Sequence, residues 1–261
     1  MRNYRAHGNP PYSIAVIHGG PGASGEMAPV AQELSVDFGV LEPLQTIDFI
    51  DGQIDELKSV IENIASLPIT LIGFSWGAWL SYIFSARHPD LVKKIILIGS
   101  GPFEKKYTDK INDVRMNRLS KKERTEVNLL YQKINDEEIM VEGDVFQRFG
   151  ELFSKADSYD PIKENTDLIK YNFNIYQKVW NEAEKVRESG LLLDIGKRIK
   201  CPVVAIHGDF DPHPVEGVKE PLSKILNDFR FILLENCGHK PWIEKQTKND
   251  FYKILKSEII Q

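Results

Sequence analysis

The strongest local signal in this chain is the stretch ITLIGFSWGAWLSYI, which occupies residues 69–83. Its first part is a continuous apolar run of strand length, and its second part is small, apolar and helix-like. Gly73 and Gly77 flank Ser75, as expected where a strand turns sharply into a helix and leaves no room for a Cβ. A residue at such a turn is strained and exposes its side chain. Ser75 is therefore predicted to be a nucleophile that needs a nearby base.

Hydrophobic periodicity on either side of this stretch predicts strands and helices in alternation. The predicted strands are apolar and short, and they cover residues 13–18, 40–41, 69–74, 94–98, 202–207 and 229–234. The predicted helices have apolar residues on one face or are apolar throughout, and they lie near residues 27–34, 54–64, 76–88, 222–226 and 251–255. Continuous apolar strands separated by helices predict an α/β fold, with a mostly parallel sheet covered by helices on both faces.

The segment 101–195 interrupts this alternation. It is rich in Lys, Glu, Asp and Asn, and its apolar residues have helical spacing without strand signals. Because it lies between two predicted strands, we interpret it as a helical cap inserted into a core formed by residues 1–100 and 196–261. Its aromatic residues indicate packing onto another part of the molecule; they are Phe146, Phe149, Phe153, Tyr171, Phe173, Tyr176 and Trp180.

The composition restricts the class of protein. The chain has 261 residues, of which 42% are hydrophobic, so it can bury a large core. Its net charge is −5 and no basic stripe stands out, which argues against nucleic acid as a partner. No apolar stretch is long enough to cross a bilayer, and residues 1–8 show no signal-peptide character. We therefore expect a cytoplasmic protein without a membrane partner, in which Cys201 and Cys237 are reduced thiols.

A glycine-rich turn follows the first predicted strand. The motif HGGPG at residues 18–22 lets the backbone approach a bound ligand closely. The backbone N–H of Gly20 is predicted to face an oxyanion that develops during the reaction. The N–H of Trp76, the residue after the nucleophile, is the expected second donor of this oxyanion hole.

The acid and the base of a triad are expected after later strands. Asp211 follows the strand at 202–207 and is predicted to orient the catalytic histidine, with Asp209 as the competing carboxylate. His239 follows the last strand and is predicted to be the base. His213 is set aside because it lies too close to Asp211 in sequence to pair with it across a site. The order Ser75, Asp211, His239 is the chain order of α/β-hydrolases.

A metal site is the competing interpretation of the same region. His207, Asp209, Asp211 and His213 alternate along the chain, and such clusters can bind a metal. Pro212 breaks the regular alternation, and a metal would leave the other triad candidates unexplained. We therefore expect neither a metal nor another cofactor.

These motifs together resemble the α/β-hydrolase fold superfamily. HGGPG at 18–22 and GFSWG at 73–77 are similar to the oxyanion segment and nucleophile elbow of the proline iminopeptidase group. HGDFD at 207–211 and GHKPWIE at 238–244 resemble the acid and histidine loops of the wider superfamily. The resemblance covers about residues 12–100 and 196–261, and it implies a cofactor-free serine hydrolase.

The chain also departs from the iminopeptidase pattern. Residues 40–44, VLEPL, occupy the place of that group's Asp-Gln-Arg-Gly loop, and the N-terminus leaves one or both leading antiparallel strands missing or reduced. The group holds the substrate's amine with cap carboxylates, for which Glu182 and Glu184, near Trp180, are the candidates. We therefore expect a small ester or amide, or a short peptide, as substrate. Open alternatives are an iminopeptidase-like aminopeptidase, a thioesterase, a carbon–carbon hydrolase and a non-catalytic binding protein.

Overall fold

The computed structural model describes residues 3–134, 143–163 and 166–261. The strands in these residues are β1 (Tyr4–His7), β2 (Tyr12–Ile17), β3 (Ala23–Ser24), β4 (Gly39–Pro43), β5 (Ile69–Phe74), β6 (Val92–Ile98), β7 (Lys170–Tyr171), β8 (Val203–Gly208) and β9 (Phe229–Leu234). The α-helices are α1 (Ala28–Leu34), α2 (Ile50–Ile64), α3 (Trp76–Arg87), α4 (Ile111–Arg118), α5 (Lys121–Ile134), α6 (Gly143–Asp157), α7 (Phe173–Glu188), α8 (Leu191–Asp194), α9 (Glu216–Ile225) and α10 (Lys248–Ile260).

Seven strands form the main sheet, in the order β1-β4-β2-β5-β6-β8-β9. β1 is antiparallel to β4, and the other neighbours are parallel. Alternate residues of β6 face opposite sides, so Ile95 joins a core with α2, α3 and α9, and Ile96 joins a core with α1 and α10. The predicted α/β fold, with a mostly parallel sheet covered on both faces, is confirmed.

The predicted elements agree closely with the observed ones. The strands predicted at 69–74 and 229–234 coincide with β5 and β9, and the other four differ by one or two residues at their ends. The largest difference concerns α9, which begins at Glu216 and carries Pro221 in its interior. A proline normally indicates the first turn of a helix. The predicted helix near residues 222–226 therefore missed about the first turn and a half of α9. Among the described residues, no helix is both long and apolar enough to cross a membrane.

β1 is an edge strand that the sequence did not locate. Its residues are mostly half-buried and include no apolar run, so periodicity gave no signal. Two of its side chains contact the fully buried carboxylate of Glu42 on β4: Arg5 Nη1 lies 3.2 Å from Oε1, and His7 Nε2 lies 2.8 Å from Oε2. A buried carboxylate needs such partners, since an unpaired one is costly.

The segment 101–195 contains α4 to α8 in its described part. Helices α4 to α6 pack around a small apolar core of their own, which includes Val127, Phe149 and Leu152. Helix α7 instead buries Val179 and Ala183 in the core shared with α2 and α3. The segment is thus fixed to the sheet-bearing part through α7.

The expectation that this segment lacks strands is wrong at β7. β7 pairs antiparallel with β3 in a two-stranded ribbon outside the main sheet, with Ala23 opposite Tyr171 and Ser24 opposite Lys170. The two residues of each strand are too few to give a periodic signal. Beside the ribbon, the Asn172 N–H donates to the Gly22 carbonyl at 2.8 Å. Gly22 has a φ of +82°, and a Cβ there would collide with the Asn172 carbonyl.

Candidate active site

Ser75 lies at the turn between β5 and α3, at the carboxyl end of the sheet. It has φ 51° and ψ −113°, a strained conformation for a residue with a side chain. Its N–H donates to the Ile98 carbonyl at 2.9 Å, which ties the turn to β6. A Cβ on Gly73 would overlap the Gly77 carbonyl, and one on Gly77 would lie 2.5 Å from the His18 carbonyl. Both glycines are therefore required by close backbone packing.

His239 and Asp211 meet above the ends of β8 and β9. His239 Nδ1 lies 2.6 Å from Asp211 Oδ2, and both residues are buried. The His239 N–H donates to the Asp157 carbonyl at 2.8 Å, and its ring lies 4.8 Å from the Phe74 ring. The imidazole orientation is thus fixed from the sheet and from the end of α6.

Of the two carboxylates that the sequence left in competition, Asp211 is the one in contact with His239. Asp209 is exposed, and its Oδ1 accepts a hydrogen bond from the Cys237 N–H at 3.1 Å. This contact joins the loop after β8 to the loop after β9. The other thiol, Cys201, is also free, and no disulfide joins the two cysteines.

His213 contacts Asp211 as well, and the prediction that it is too close in sequence to do so is wrong. Its Nδ1 lies 2.7 Å from Asp211 Oδ1, and its backbone N–H donates to the same oxygen at 2.9 Å. An aspartate that accepts the N–H two residues later forms an Asx turn, which folds the chain back over its own side chain. The rings of His213 and His239 lie 4.7 Å apart, so one carboxylate serves two histidines.

The charges in this group follow from burial and proximity. Burial lowers the pKa of His239, but the adjacent Asp211 carboxylate outweighs it and raises that pKa above its ordinary value. Burial lowers the pKa of His213 to about 4, against the opposing effect of Asp211. Burial raises the pKa of Asp211, but the neighbouring histidines hold it well below its usual range. His239 is therefore the imidazole that accepts a proton near neutral pH, and His213 stays neutral.

The glycine-rich turn lies beside Ser75. Gly20 has a φ of +21° and lines the same cavity as Ser75 and Trp76. The Trp76 N–H belongs to the first residue of α3, where a helix leaves its backbone donors without intrahelical partners. The Trp76 indole donates to Gln53 Oε1 at 3.0 Å, which anchors the start of the helix. Both residues predicted to form the oxyanion hole therefore face the cavity that contains Ser75.

This cavity has a volume of about 520 Å³. Its wall on the sheet side includes Ser75, Gly20, Trp76, His213 and His239. Six of the seven aromatic residues that the sequence marked in the segment 101–195 line its other side; they are Phe146, Phe149, Phe153, Tyr171, Tyr176 and Trp180. The segment 101–195 thus supplies most of the residues that line the cavity containing Ser75.

The three residues predicted to bind substrate have different positions. Trp180 and Glu184 line the cavity, and Trp180 stacks on Trp79 with ring centroids 5.8 Å apart. Glu182 is not among the described residues that line the cavity. Its Oε2 accepts a hydrogen bond from the Ile50 N–H at 2.8 Å and caps the start of α2. Residues two apart on a helix face different sides, which explains why only Glu184 reaches the cavity.

Several charged residues of the cavity wall were missed by sequence reasoning. Arg115 of α4 forms a two-point salt bridge with Asp157, with Nε–Oδ1 and Nη2–Oδ2 distances of 2.7 and 2.6 Å. Lys240 Nζ lies 2.9 Å from Glu26 Oε1. Arg187 of α7 also lines the cavity. Each lies in a charged stretch or a loop, where the sequence does not distinguish a solvated side chain from one that faces a pocket.

The metal site considered from the sequence is only partly assembled. Among the described residues, Asp211, His213 and His239 have potential ligand atoms within 4.8 Å of one another. Asp209 does not belong to this group, and His207 Nε2 lies 2.9 Å from the His213 carbonyl. The Nδ1 atoms of His213 and His239 each lie at hydrogen-bond distance from Asp211, as in an imidazole–carboxylate network. The residues present fit proton transfer better than metal binding.

Comparison with known proteins places this geometry in a family. A family model described as the alpha/beta hydrolase fold matches residues 67–246. Protein NDRG2 from Bos taurus is 22% identical over 200 residues, which cover 76% of this chain and 51% of that protein. The chain thus spans about half the length of the curated relatives it matches.

Solved structures share the architecture over nearly the whole chain. The crystal structure of VinJ is 17% identical, with a TM-score of 0.66, and the match covers 98% of this chain and 93% of that one. A putative lipase, lip1, from Acinetobacter baumannii AYE is 18% identical, with a TM-score of 0.65 and coverage of 99% and 88%. At such low identity these likenesses show the fold alone. Because the family model matches more than half of the chain, this chain belongs to the α/β-hydrolase fold family.

Proposed function

We propose that this protein is a serine hydrolase that cleaves a small ester or amide through an acyl-enzyme. Ser75 is the nucleophile, His239 the base and Asp211 the residue that orients the base. The observation that carries the proposal is the contact of His239 Nδ1 with Asp211 Oδ2, at 2.6 Å, beside the strained Ser75 turn. Ser75 and His239 line one cavity with Gly20 and Trp76, the proposed oxyanion donors.

The proposed reaction has two steps. His239 takes the Ser75 proton through Nε2, because its Nδ1–H is held by Asp211, and the serine oxygen attacks the substrate carbonyl. The N–H groups of Gly20 and Trp76 stabilise the oxyanion, and His239 then passes its proton to the leaving group. Water attacks the acyl-enzyme in the second step, with His239 again as base, and restores Ser75.

We also propose that the segment 101–195 acts as a cap on a core formed by residues 1–100 and 196–261. Aromatic residues from this segment line the same cavity as Ser75. Such a surface admits an apolar substrate of limited size. The cap is therefore the part of the molecule that determines which esters or amides reach the nucleophile.

Ester hydrolysis is better supported than aminopeptidase activity. A peptidase that accepts a free N-terminus needs a carboxylate for the substrate ammonium, since an unpaired buried charge is costly. Glu182 accepts a hydrogen bond from the Ile50 N–H, and Glu184 lies 3.5 Å from Arg187, whose positive charge opposes the binding of an ammonium beside it. We expect short-chain p-nitrophenyl esters to be cleaved with a higher kcat/KM than proline p-nitroanilide. The opposite order would favour the iminopeptidase reading over ours.

The test of the proposal is covalent labelling with a fluorophosphonate, followed by ester hydrolysis. We expect wild-type protein to be labelled on Ser75, and Ser75→Ala to lose labelling and about 10⁶-fold in kcat. Ser59→Ala replaces an exposed serine of α2 and is the matched control. We expect it to retain both the labelling and the kcat of the wild-type protein. Circular dichroism checks that each variant is folded. Unlabelled wild-type protein would instead indicate a hydrolase-fold binding protein that does not turn over substrate.

A further inference from the structure

Arg187 is the least compensated charge in the wall of the cavity. It lies near the end of α7, its residue is 7% exposed, and it lines the cavity. Its Nε is buried and has no hydrogen-bond partner among the described residues. Its guanidinium contacts a carboxylate only through Nη2, which lies 3.5 Å from Glu184 Oε1. Glu184 itself is 44% exposed, so solvent weakens this pair.

The other two cations of the wall are neutralised within the protein. Arg115 has its two-point bridge to Asp157, and Lys240 has its 2.9 Å contact with Glu26. A buried guanidinium without comparable partners is unfavourable, because its desolvation is not repaid. Burial accordingly lowers the pKa of Arg187, with Glu184 and Glu188 opposing. A fold that keeps such a group in its cavity leaves room for an anion supplied by a ligand.

The position of Arg187 also indicates how long the ligand is and which part of it is apolar. The cavity face of α7 carries Tyr176, Trp180, Glu184 and Arg187, spaced by about one helical turn each. Eleven residues of helix span about 16 Å, so this face extends well beyond a single functional group. The guanidinium lies 5.5 Å from the centre of the Trp79 ring, on which Trp180 stacks. The aromatic stretch of wall therefore ends at a positive charge that is only weakly paired with the partly exposed Glu184.

We propose that Arg187 binds a carboxylate of the substrate, so that the preferred substrates are esters or amides carrying a second, ionised carboxyl group beyond an apolar segment. The guanidinium fork matches a carboxylate in geometry and charge. A single, weakly paired cation fits a monoanion better than a doubly charged phosphate. The inference rests on the proposed function, because it names the substrate class of the same cavity.

Matched pairs of esters test the inference. On the acyl side, mono-p-nitrophenyl glutarate is compared with p-nitrophenyl pentanoate; on the alcohol side, 4-acetoxybenzoate is compared with 4-acetoxybenzamide. We expect wild-type protein to prefer the carboxylate in one pair by about 10- to 100-fold in kcat/KM, as for a charge-assisted hydrogen bond. Arg187→Gln abolishes that preference, whereas Arg187→Lys keeps part of it.

The controls separate a binding role from a structural one. Arg148→Gln removes an exposed arginine of α6 that does not line the cavity, and it keeps the preference. Arg187→Gln is expected to stay folded, because replacing a poorly paired buried charge is often neutral or stabilising. A thermal melt of each variant checks this. A preference for the neutral ester in both pairs, or a carboxylate preference that survives Arg187→Gln, overturns the inference.

A binding experiment makes the inference independent of turnover. Calorimetry on the Ser75→Ala variant compares 4-phenylbutyrate with 4-phenylbutyramide. We expect the acid to bind about 10-fold more tightly or better, and Arg187→Gln in that background to remove the difference. If esters are hydrolysed without carboxylate discrimination in either assay, the hydrolase proposal stands and the Arg187 inference fails. If the acid binds through Arg187 but no ester is cleaved and Ser75 is not labelled, the carboxylate site stands and the hydrolase proposal fails.

Discussion

Replacing Asp211 by Asn tests the network in the candidate site most directly. In the structure, Oδ2 faces His239 Nδ1, while Oδ1 faces both the His213 backbone N–H and His213 Nδ1. An amide has one oxygen and one NH₂ group, so it can accept hydrogen bonds on one side only. The oxygen will remain on the side with two donors, because turning it away would leave two hydrogen bonds unmade.

The consequence falls on His239, the proposed catalytic base. The amide NH₂ then faces His239 Nδ1, which must give up its proton and become an acceptor, so the proton moves to Nε2. Nε2 can no longer accept the Ser75 proton, and a triad with this wrong tautomer loses about 10⁴-fold in kcat. Stability should fall by only about 1–3 kcal/mol, the cost of a disturbed buried hydrogen bond.

The assay is kcat/KM for a short p-nitrophenyl ester, with urea unfolding as the check on stability. Asp209→Asn is the matched control and should cost less than tenfold, because among the described residues that exposed carboxylate accepts a hydrogen bond from the Cys237 N–H and does not contact His239. Activity of Asp211→Asn within tenfold of wild type would refute the assignment of roles. A larger loss in Asp209→Asn than in Asp211→Asn would show that the acid had been chosen wrongly.

Two further predictions concern pH and cap attachment. Since the Asp211 carboxylate raises the pKa of His239 above its ordinary 6.5, and only the neutral imidazole is a base, kcat/KM should fall as pH drops through a value above 6.5. Asp211→Asn removes the largest effect that raises this pKa and leaves the lowering effect of burial, so the remaining activity should titrate at a lower pH than in wild type; a pH profile unmoved by the substitution would contradict this. Glu182→Ala should lower the free energy of unfolding by about 1 kcal/mol, because it removes the acceptor of the Ile50 N–H, and it should leave KM within about twofold. A large rise in KM without loss of stability would return Glu182 to the substrate site.

The sequence was most informative where local physics and function require the same residue. The sharp turn at Ser75 could be predicted, because a strand, two glycines and a helix in this order leave few other structures for that stretch. The sheet could be predicted because strands buried on both faces are continuously apolar, as at Ile95–Ile98. The edge strand β1 gave no such signal, since its stability depends on Glu42, a partner more than 30 residues away in the chain.

The cavity wall was less predictable for a different reason. Glu182 and Glu184 have the same chemistry and differ by two residues, so only the rotation of α7 decides which of them reaches the cavity. Arg187 looks like any other charge in a polar helix until its burial is known. His213 was excluded on sequence distance, although an aspartate side chain can fold back over two residues. In each case the outcome depended on the tertiary structure around the side chain, which the residue type and its position in the sequence do not reveal.

The ribbon of β3 and β7 has a mechanical consequence. It fastens the turn that carries Gly20 to the chain just before α7, with Asn172 bonded to the Gly22 carbonyl. A displacement of β7 would therefore pull on the same backbone that carries Gly20, the proposed oxyanion donor. If the protein is a hydrolase as proposed, we expect movement of this part of the cap and catalytic competence to be coupled.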